Sequence, residues 1–461
     1  MRAEITVPGS KSITNRALIL AALAEGEVSL EGALWSEDTQ IMVECLQELG
    51  FMVDVRPDPN EFCNRTITVY GKAGIVPPGG TEQQPMELFV GNAGTAARFL
   101  AAFVCLGKGV YRLEGVPRMH ERPQGALFRA LRELGYRVEP QTGEDRLPVI
   151  IHGTGWKPGT CHVNITESSQ FASALLLGAK VGGWDIRITG EDTEEAPYVE
   201  MTRRLTEAFP RSGGNFQIEP DASSGSYFWA ADWLASVDLW TKDPIEDSPH
   251  PQIQFRLKEV SQWIRTASST ENRDPEERTT LDFSIRHWPS SGWQIDADFP
   301  LFLPLPETIS REHQLGDSIM TAIVIAAHIL GGFGYERRQS EIRFVDLNRL
   351  RLQETERVVA LRTELTKCGA KVDEEGDTLT VFPSELHGAE IETYNDHRMA
   401  MCFAILGLKV PSIKIKNPAC VKKTFPNFFQ KLAAAPPKGL GATILDAKSG
   451  RKLTHDELFA E

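Results

Sequence analysis

Asp38-Thr39-Gln40-Ile41-Met42-Val43-Glu44-Cys45-Leu46-Gln47-Glu48-Leu49 has the period of a helix, Gly50 closes it, and Phe51-Met52-Val53-Asp54-Val55 follows as a strand-like run. Ile41, Met42, Cys45, Leu46 and Leu49 fall on one helical face, and Asp38 is the expected N-cap. Glycine after the last turn accepts the left-handed conformation at low steric cost, so it marks where the helix stops. The pattern recurs twice: Leu127 to Leu134 runs into Gly135-Tyr136-Arg137-Val138, and Val358 to Cys368 into Gly369-Ala370-Lys371-Val372. The last copy continues through Glu374-Glu375-Gly376-Asp377 into Thr378-Leu379-Thr380-Val381-Phe382, a hairpin. Helix, strand, turn, strand is thus a repeated module, which predicts an α/β protein built from internal repeats rather than one Rossmann sheet.

The chain has 461 residues, too many for one ordinary core, so two domains or more are expected. A net charge of −14 opposes general nucleic-acid or anionic-membrane binding, and any basic cluster is therefore local. The seven cysteines include no CxxC pair, which favours reduced, packed thiols over a structural zinc. Met1 to Val7 lacks the apolar core of a signal peptide, and the run Ile323 to Phe333 contains His328 and is too short to span a bilayer. A cytoplasmic protein is expected. Residues 243–300 lose the repeat and include the polar stretch Thr266 to Arg278; they read as an exposed insertion with a helix at Lys258 to Ile264. Pro436 to Glu461 reads as a polar, loosely attached tail.

The chemistry gathers at turns that open helices. Pro8-Gly9-Ser10-Lys11-Ser12-Ile13-Thr14-Asn15-Arg16 feeds the apolar run Ala17 to Ala24, and unpaired amides at a helix start favour an anion. Gly91-Asn92-Ala93-Gly94-Thr95-Ala96-Ala97-Arg98 lets backbone approach a ligand closely. Arg118-Met119-His120-Glu121-Arg122-Pro123, Ser168-Ser169-Gln170, Asp396-His397-Arg398 and Lys422-Lys423-Thr424-Phe425-Pro426 are similar mouths. An acidic chain has placed Lys11, Arg16, Arg98, Arg118, Arg122, Arg357, Arg398 and Lys423 in or near such segments, so a small, multiply anionic ligand is indicated. Asp317 and Glu354 are acidic exceptions, open to either a catalytic role or a plain helix-cap or i,i+3 pairing.

In this order the motifs Pro8-Gly9-Ser10-Lys11 with Asn15-Arg16, Gly91 to Ala96, Arg118-Met119 with Glu121-Arg122-Pro123, Ser168-Ser169-Gln170, Asp396 to Met401 and Lys423 to Pro426 resemble 5-enolpyruvylshikimate-3-phosphate synthases, over roughly residues 5 to 435. The reactive loop cysteine of the related UDP-N-acetylglucosamine enolpyruvyl transferases has no counterpart. The resemblance implies a two-lobed inside-out α/β barrel, each lobe of three βαβαββ repeats with pseudo-three-fold symmetry. It divides the chain into 8–235, an acceptor-binding lobe, and 1–7 plus 236–435, with ligands between lobes that close on binding. It also implies that phosphoenolpyruvate donates its carboxyvinyl group to a hydroxyl of a phosphorylated alcohol, with no metal or organic cofactor, in a monomer. Carried over residue by residue, Lys11, Asp317 and Glu354 would be catalytic. Lys11, Asn92, Gly94, Arg122, Gln170, Arg357, Arg398 and Lys423 would hold phosphoenolpyruvate. Lys11, Ser12, Arg16, Ser168, Ser169, Gln170, Tyr198 and Asp317 would hold the acceptor. Gly94 would leave room for glyphosate at the donor site.

The acceptor side departs from the family pattern. Glu195 stands where the family has a serine, Gln353 where it has a lysine, Arg349 where it has an asparagine, and Phe99 where a proline is common. These changes read either as compensating, with Arg349 supplying the cation missing at Gln353, or as the mark of another acceptor alcohol. The acceptor implied is shikimate 3-phosphate, with a different phosphorylated or nucleotide alcohol, or a non-catalytic anion-binding homologue, as alternatives.

Overall fold

A computed structural model describes residues 3–190, 196–242, 283–331 and 341–460. Glu195 and most of the expected insertion, including its helix at 258–264, lie outside the described residues. The chain divides into an N-terminal unit, Pro8–Asp221, and a C-terminal unit, Met1–Val7 with Ala222–Glu461. The division falls at Asp221 rather than near residue 235 because Ala222–Lys242 is one continuous helix. Its Tyr227, Phe228, Trp229 and Leu234 belong to the C-terminal core.

The repeated module is a four-stranded sheet whose first pair is parallel and whose remaining pairs are antiparallel. In spatial order, one sheet runs Met86–Phe89, Lys108–Glu114, Val149–Thr154, Arg137–Pro140. In the C-terminal unit the same order is Thr308–Ser310, Ile342–Val345, Thr378–Val381, Val372–Glu375. A third sheet, Gly214–Gln217, Glu27–Leu34, Asn64–Tyr70, Met52–Pro57, takes its first strand from the far end of the N-terminal unit. The remaining sheets are parallel pairs: Gly159–Asn164 with Trp184–Thr189, Ala3–Ile5 with Phe283–Ile285, and Glu390–Ile391 with Lys414–Ile415. Among the described residues the full βαβαββ order is therefore reached in three modules rather than six, and no sheet closes into a barrel. After Lys414–Ile415, for example, a tight turn at Pro418–Lys423 and the helix Phe428–Ala433 stand where a hairpin would pair, and Pro418 and Pro426 have no amide to donate.

The first helix of each module is buried. Lys11–Leu23, Gly94–Phe103 and Ser169–Gly182 pack on one another in the N-terminal unit; Ala222–Lys242, Ile319–Gly331 and His397–Leu406 do so in the C-terminal unit. Alanines and glycines along them, such as Ala21, Ala22, Ala97, Ala101 and Gly178, let backbones come close, and in Gly94–Phe103 every residue is buried. Gly94–Phe103, Ser169–Gly182, Ile319–Gly331 and His397–Leu406 each link the two strands of a parallel pair, whereas Lys11–Leu23 and Ala222–Lys242 start just after the chain passes from one unit to the other. Most of the conspicuous motifs sit at these helix starts.

Several local expectations change. The helix Glu37–Glu48 is capped by Ser36, in a capping box with Thr39, rather than by Asp38, whose carboxylate is directed to Lys11 instead. Phe283–Ile285 pairs with Ala3–Ile5, and Phe299 and Pro300 are buried, so residues 283–300 are tied to the core at both ends and are not an exposed insertion, although Ser290 to Gly292 between them are exposed. The tail is also fastened. The Ala442 amide donates to the Leu432 carbonyl at 2.8 Å and the Ala460 amide to Pro426 at 3.0 Å, while Leu458 and Ala460 are buried. All seven cysteines are buried, and burial pushes the Cys45 and Cys402 thiols up to about 12.

Gly9 fixes the entry to the Lys11 helix. Its amide donates to Asn64 Oδ1 at 2.9 Å, and a Cβ there would lie 2.0 Å from the Gly32 carbonyl oxygen, a backbone atom that cannot swing aside. Gly9→Ala should cost about 1–3 kcal/mol, read as a lower urea midpoint; an unchanged midpoint would show that the turn yields freely.

Candidate functional site

In the N-terminal unit three helix starts meet. Lys11, the first residue of its helix, is held by Asp38 at 3.1 Å, and Ser12 follows it. Gly94 opens the second helix; a Cβ there would lie 2.8 Å from both terminal nitrogens of Arg122 and from Arg98 Nη1, so only glycine leaves both guanidiniums in place. Arg122 donates to the Asn92 carbonyl at 3.3 Å, which fixes it over the glycine turn. Ser168 caps the third helix by accepting the Gln170 amide, and Ser169 is its first residue. Gln170 joins the second and third starts: its Oε1 accepts from Arg98 at 2.6 Å and its Nε2 reaches Thr95 Oγ1 at 3.4 Å. Arg16 lies deeper. It is 2% exposed, donates to Thr202 Oγ1 at 2.7 Å, Ser12 O at 2.8 Å and Ser173 Oγ at 3.1 Å, and stacks on Phe99 at 5.3 Å. Tyr198 meets it through its carbonyl, at 3.5 Å. In this conformation Arg16 braces the first, third and Ala196–Ala208 helices.

In the C-terminal unit the corresponding starts converge on Asp317, in the turn before Ile319–Gly331. Its Oδ1 accepts from Arg311 Nη2 at 3.0 Å and from Gln353 Nε2 at 3.4 Å. Its Oδ2 lies 3.2 Å from Arg398 Nη2 and 3.8 Å from Arg357 Nη1. Burial acts to raise the Asp317 pKa, but Arg398, Arg311 and Arg357 together outweigh it and hold the carboxyl well below the usual carboxylate range. Arg398 also donates to Ser223, at the start of the Ala222–Lys242 helix. Asp396 caps the His397–Leu406 helix by accepting the Arg398 amide at 2.8 Å, and its two oxygens take Arg357 Nε and Nη2 at 2.7 and 3.2 Å. Arg357 Nη1 donates to Gln353 as well. Glu354 sits between Arg357 at 2.8 Å and Lys423 at 3.0 Å.

The expected residues therefore assemble into two clusters. Ser12, Arg16, Asn92, Gly94, Arg122, Ser168, Ser169, Gln170, Tyr198 and Lys11 lie in the N-terminal unit; Asp317, Glu354, Arg357, Arg398 and Lys423 lie in the C-terminal unit. Sequence reasoning missed the residues that hold them. In the sequence Asp38 looks like a cap, Asp396 carries no sign of its hold on Arg357, and Arg311 in Ser310-Arg311-Glu312-His313 has no distinguishing neighbour. One π turn at Arg311–Leu315 carries Arg311 back to Asp317, a separation that no helical template flags.

Chemically, each cluster pairs helix N-termini with buried cations and suits a ligand bearing phosphate or carboxylate groups. The second adds two carboxylates able to exchange protons. A family model described as EPSP synthase (3-phosphoshikimate 1-carboxyvinyltransferase) matches residues 1–211 and 308–432. A 3-phosphoshikimate 1-carboxyvinyltransferase of Nostoc sp. is 35% identical over 451 residues, 93% of this chain and 95% of that one. One from Vibrio campbellii is 35% identical over 456 residues, 94% and 97% of the two chains. The EPSP synthase structure from Acinetobacter baumannii superposes with a TM-score of 0.62 at 20% identity, covering 95% and 96%. The enolpyruvyl transferase NikO from Streptomyces tendae does so at 0.53 and 14%, covering 92% of each. With repeated modules, anion-binding helix starts and a matching family model over most of its length, the chain belongs to the EPSP synthase family.

Proposed function

We propose that the two clusters carry out the family's reaction, moving the enolpyruvyl group of phosphoenolpyruvate to shikimate 3-phosphate with release of phosphate. The observation that carries this reading is Asp317, an ionised carboxylate ringed by guanidiniums beside a second carboxylate, Glu354, that is itself paired with cations. The acceptor hydroxyl oxygen bonds to C2 of phosphoenolpyruvate while C3 gains a proton, giving a tetrahedral ketal phosphate. Loss of a C3 proton and of phosphate then yields the enol ether. Asp317 takes the hydroxyl proton, and Glu354 delivers and removes the proton at C3. Arg122, Arg357, Arg398 and Lys423, with Asn92 and Gly94, hold the donor. Ser12, Arg16, Ser168, Ser169 and Tyr198 hold the acceptor; Lys11 and Gln170 serve both.

The low pKa of Asp317 gives the sequence a direction. While all three guanidiniums face it, the carboxylate is a weak base. An anionic donor that draws Arg398 toward itself removes one stabilising charge, so the base strengthens when a substrate is present. The reaction needs no metal or organic cofactor in this reading, which takes the protein as a cytoplasmic monomer; the free, buried thiols suit a reducing compartment. The test is phosphate release from phosphoenolpyruvate, with and without shikimate 3-phosphate. Release that depends on both substrates is expected; release only with another alcohol would overturn the acceptor, and none with any alcohol would overturn the enzyme.

Gly94→Ala bears on the donor side. The added methyl must displace the Arg122 and Arg98 termini, which are far ends of flexible side chains, so the fold should persist. The KM for phosphoenolpyruvate should rise roughly tenfold, equivalent to ~1.4 kcal/mol, with a much smaller change in the KM for shikimate 3-phosphate. Equal rises in both would place Gly94 outside the donor site.

A further inference from the structure

Three arginines surround Asp317, and their situations differ. Arg398 is 15% exposed and reaches Asp317 from the His397 helix, so it can turn toward an arriving anion. Arg357 is committed to Asp396 and Glu354, and its nearest approach to Asp317 is 3.8 Å. Arg311 is 1% exposed, donates to Oδ1 at 3.0 Å, and sits on the turn that leads directly into Asp317. The geometry of that turn forms the pair before any ligand arrives.

We propose that Arg311 is the lasting counter-charge of Asp317, a positioning residue that occupies Oδ1 throughout the cycle and leaves Oδ2 to take the acceptor's proton. This rests on the reading of Asp317 as the base. The division of labour follows from the two oxygens. Oδ1 faces Arg311 and the neutral amide of Gln353; Oδ2 faces Arg398 and, more distantly, Arg357. When Arg398 engages the donor, Oδ2 loses its closest cation and becomes the more basic oxygen, while Oδ1 stays bonded and the carboxyl plane stays fixed. A carboxylate so buried, with every guanidinium drawn off, would become neutral before it met a proton donor. Arg311 prevents that. The next ring of charge does not replace it: Glu354 and Asp396 are anions paired with Arg357, and Asp296 accepts the Ser318 amide on the far side of the turn.

The experiment compares Arg311→Gln, Arg311→Lys and Asp317→Asn with the unmodified enzyme, measuring kcat and KM for phosphoenolpyruvate across pH. In Arg311→Gln the acidic limb of kcat should move up by about one unit or more, because Asp317 protonates more readily, while KM for phosphoenolpyruvate stays within roughly threefold. Arg311→Lys should return the limb toward its original position. An unmoved limb in Arg311→Gln, or a tenfold rise in KM with kcat intact, would overturn the proposal; the latter would make Arg311 a donor ligand. If Asp317→Asn keeps full turnover, the reading of Asp317 as the base fails instead. Should Arg311→Gln not fold, the double variant Arg311→Gln/Asp317→Asn should fold, since the buried carboxylate that lost its closest counter-charge is then gone. A double variant that also fails to fold would contradict the pairing.

Discussion

Replacing Asp317 with asparagine lowers kcat by roughly 10²- to 10⁴-fold, the usual contribution of a positioned general base, without dismantling the site. The amide keeps an oxygen for Arg311 and nearly the same shape, but it cannot accept a proton at neutral pH. Substrate binding should be less affected, because the cations assigned to the donor remain. Steady-state kinetics with both substrates varied would show the loss in kcat; a variant retaining more than a tenth of the activity would remove Asp317 from the chemistry. The substitution has a second signature in acid. Asp317 titrates lower in the folded protein than in the unfolded chain, so its contribution to stability is complete above about pH 4. That contribution fades as pH falls through the folded value. Asp317→Asn should therefore lose less stability than the unmodified protein does as pH falls below about 4.

Arg357→Met should have the largest effect on stability. Arg357 is 1% exposed and its guanidinium satisfies the fully buried Asp396 at two points and Glu354 at a third. Deleting it leaves Asp396 with the Arg398 amide as its remaining strong partner on that side, and weakens the cap of the His397–Leu406 helix. Breaking a buried pair from one side costs about 3–5 kcal/mol, which for a unit of this size corresponds to a fall in Tm of roughly 10 °C. Arg357→Lys should recover only part, because an ammonium cannot reproduce the two-point bond to Asp396 while reaching Glu354. Calorimetry of the three proteins is the measurement. A loss below about 1 kcal/mol for Arg357→Met would mean that Asp396 finds other partners.

Much of the architecture could be read from one recurring device. Gly50, Gly135 and Gly369 close helices that run straight into strands, and each such strand became the edge of a four-stranded sheet. The reduced modules were not legible, because a two-residue strand such as Glu390–Ile391 carries no alternation to detect. Residues 283–300 misled for a related reason. Their prolines and tryptophans have turn chemistry, yet Phe283 to Ile285 is held by pairing with residues 3–5, from the far side of the N-terminal unit in sequence. At the candidate site, the positions proposed to bind anions stand out as cations at helix mouths. Their supports did not: Asp38, Asp396 and Arg311 are ordinary in sequence and acquire meaning only from the side chain they meet. Asp38 shows the ambiguity well, since an acid in the first turn of a helix fits a dipole partner as readily as a clamp on Lys11.

In the proposed reaction the enolpyruvyl group is transferred by addition and elimination, with Glu354 moving a proton on and off C3. Running the reaction in heavy water, stopping it partway and locating deuterium by proton NMR tests it most directly. Deuterium should appear at the C3 methylene of product and of recovered phosphoenolpyruvate when shikimate 3-phosphate is present, through a methyl group that exchanges protons with solvent, and should be strongly suppressed in Glu354→Gln. Product formed with its methylene free of deuterium would contradict the proposed reaction.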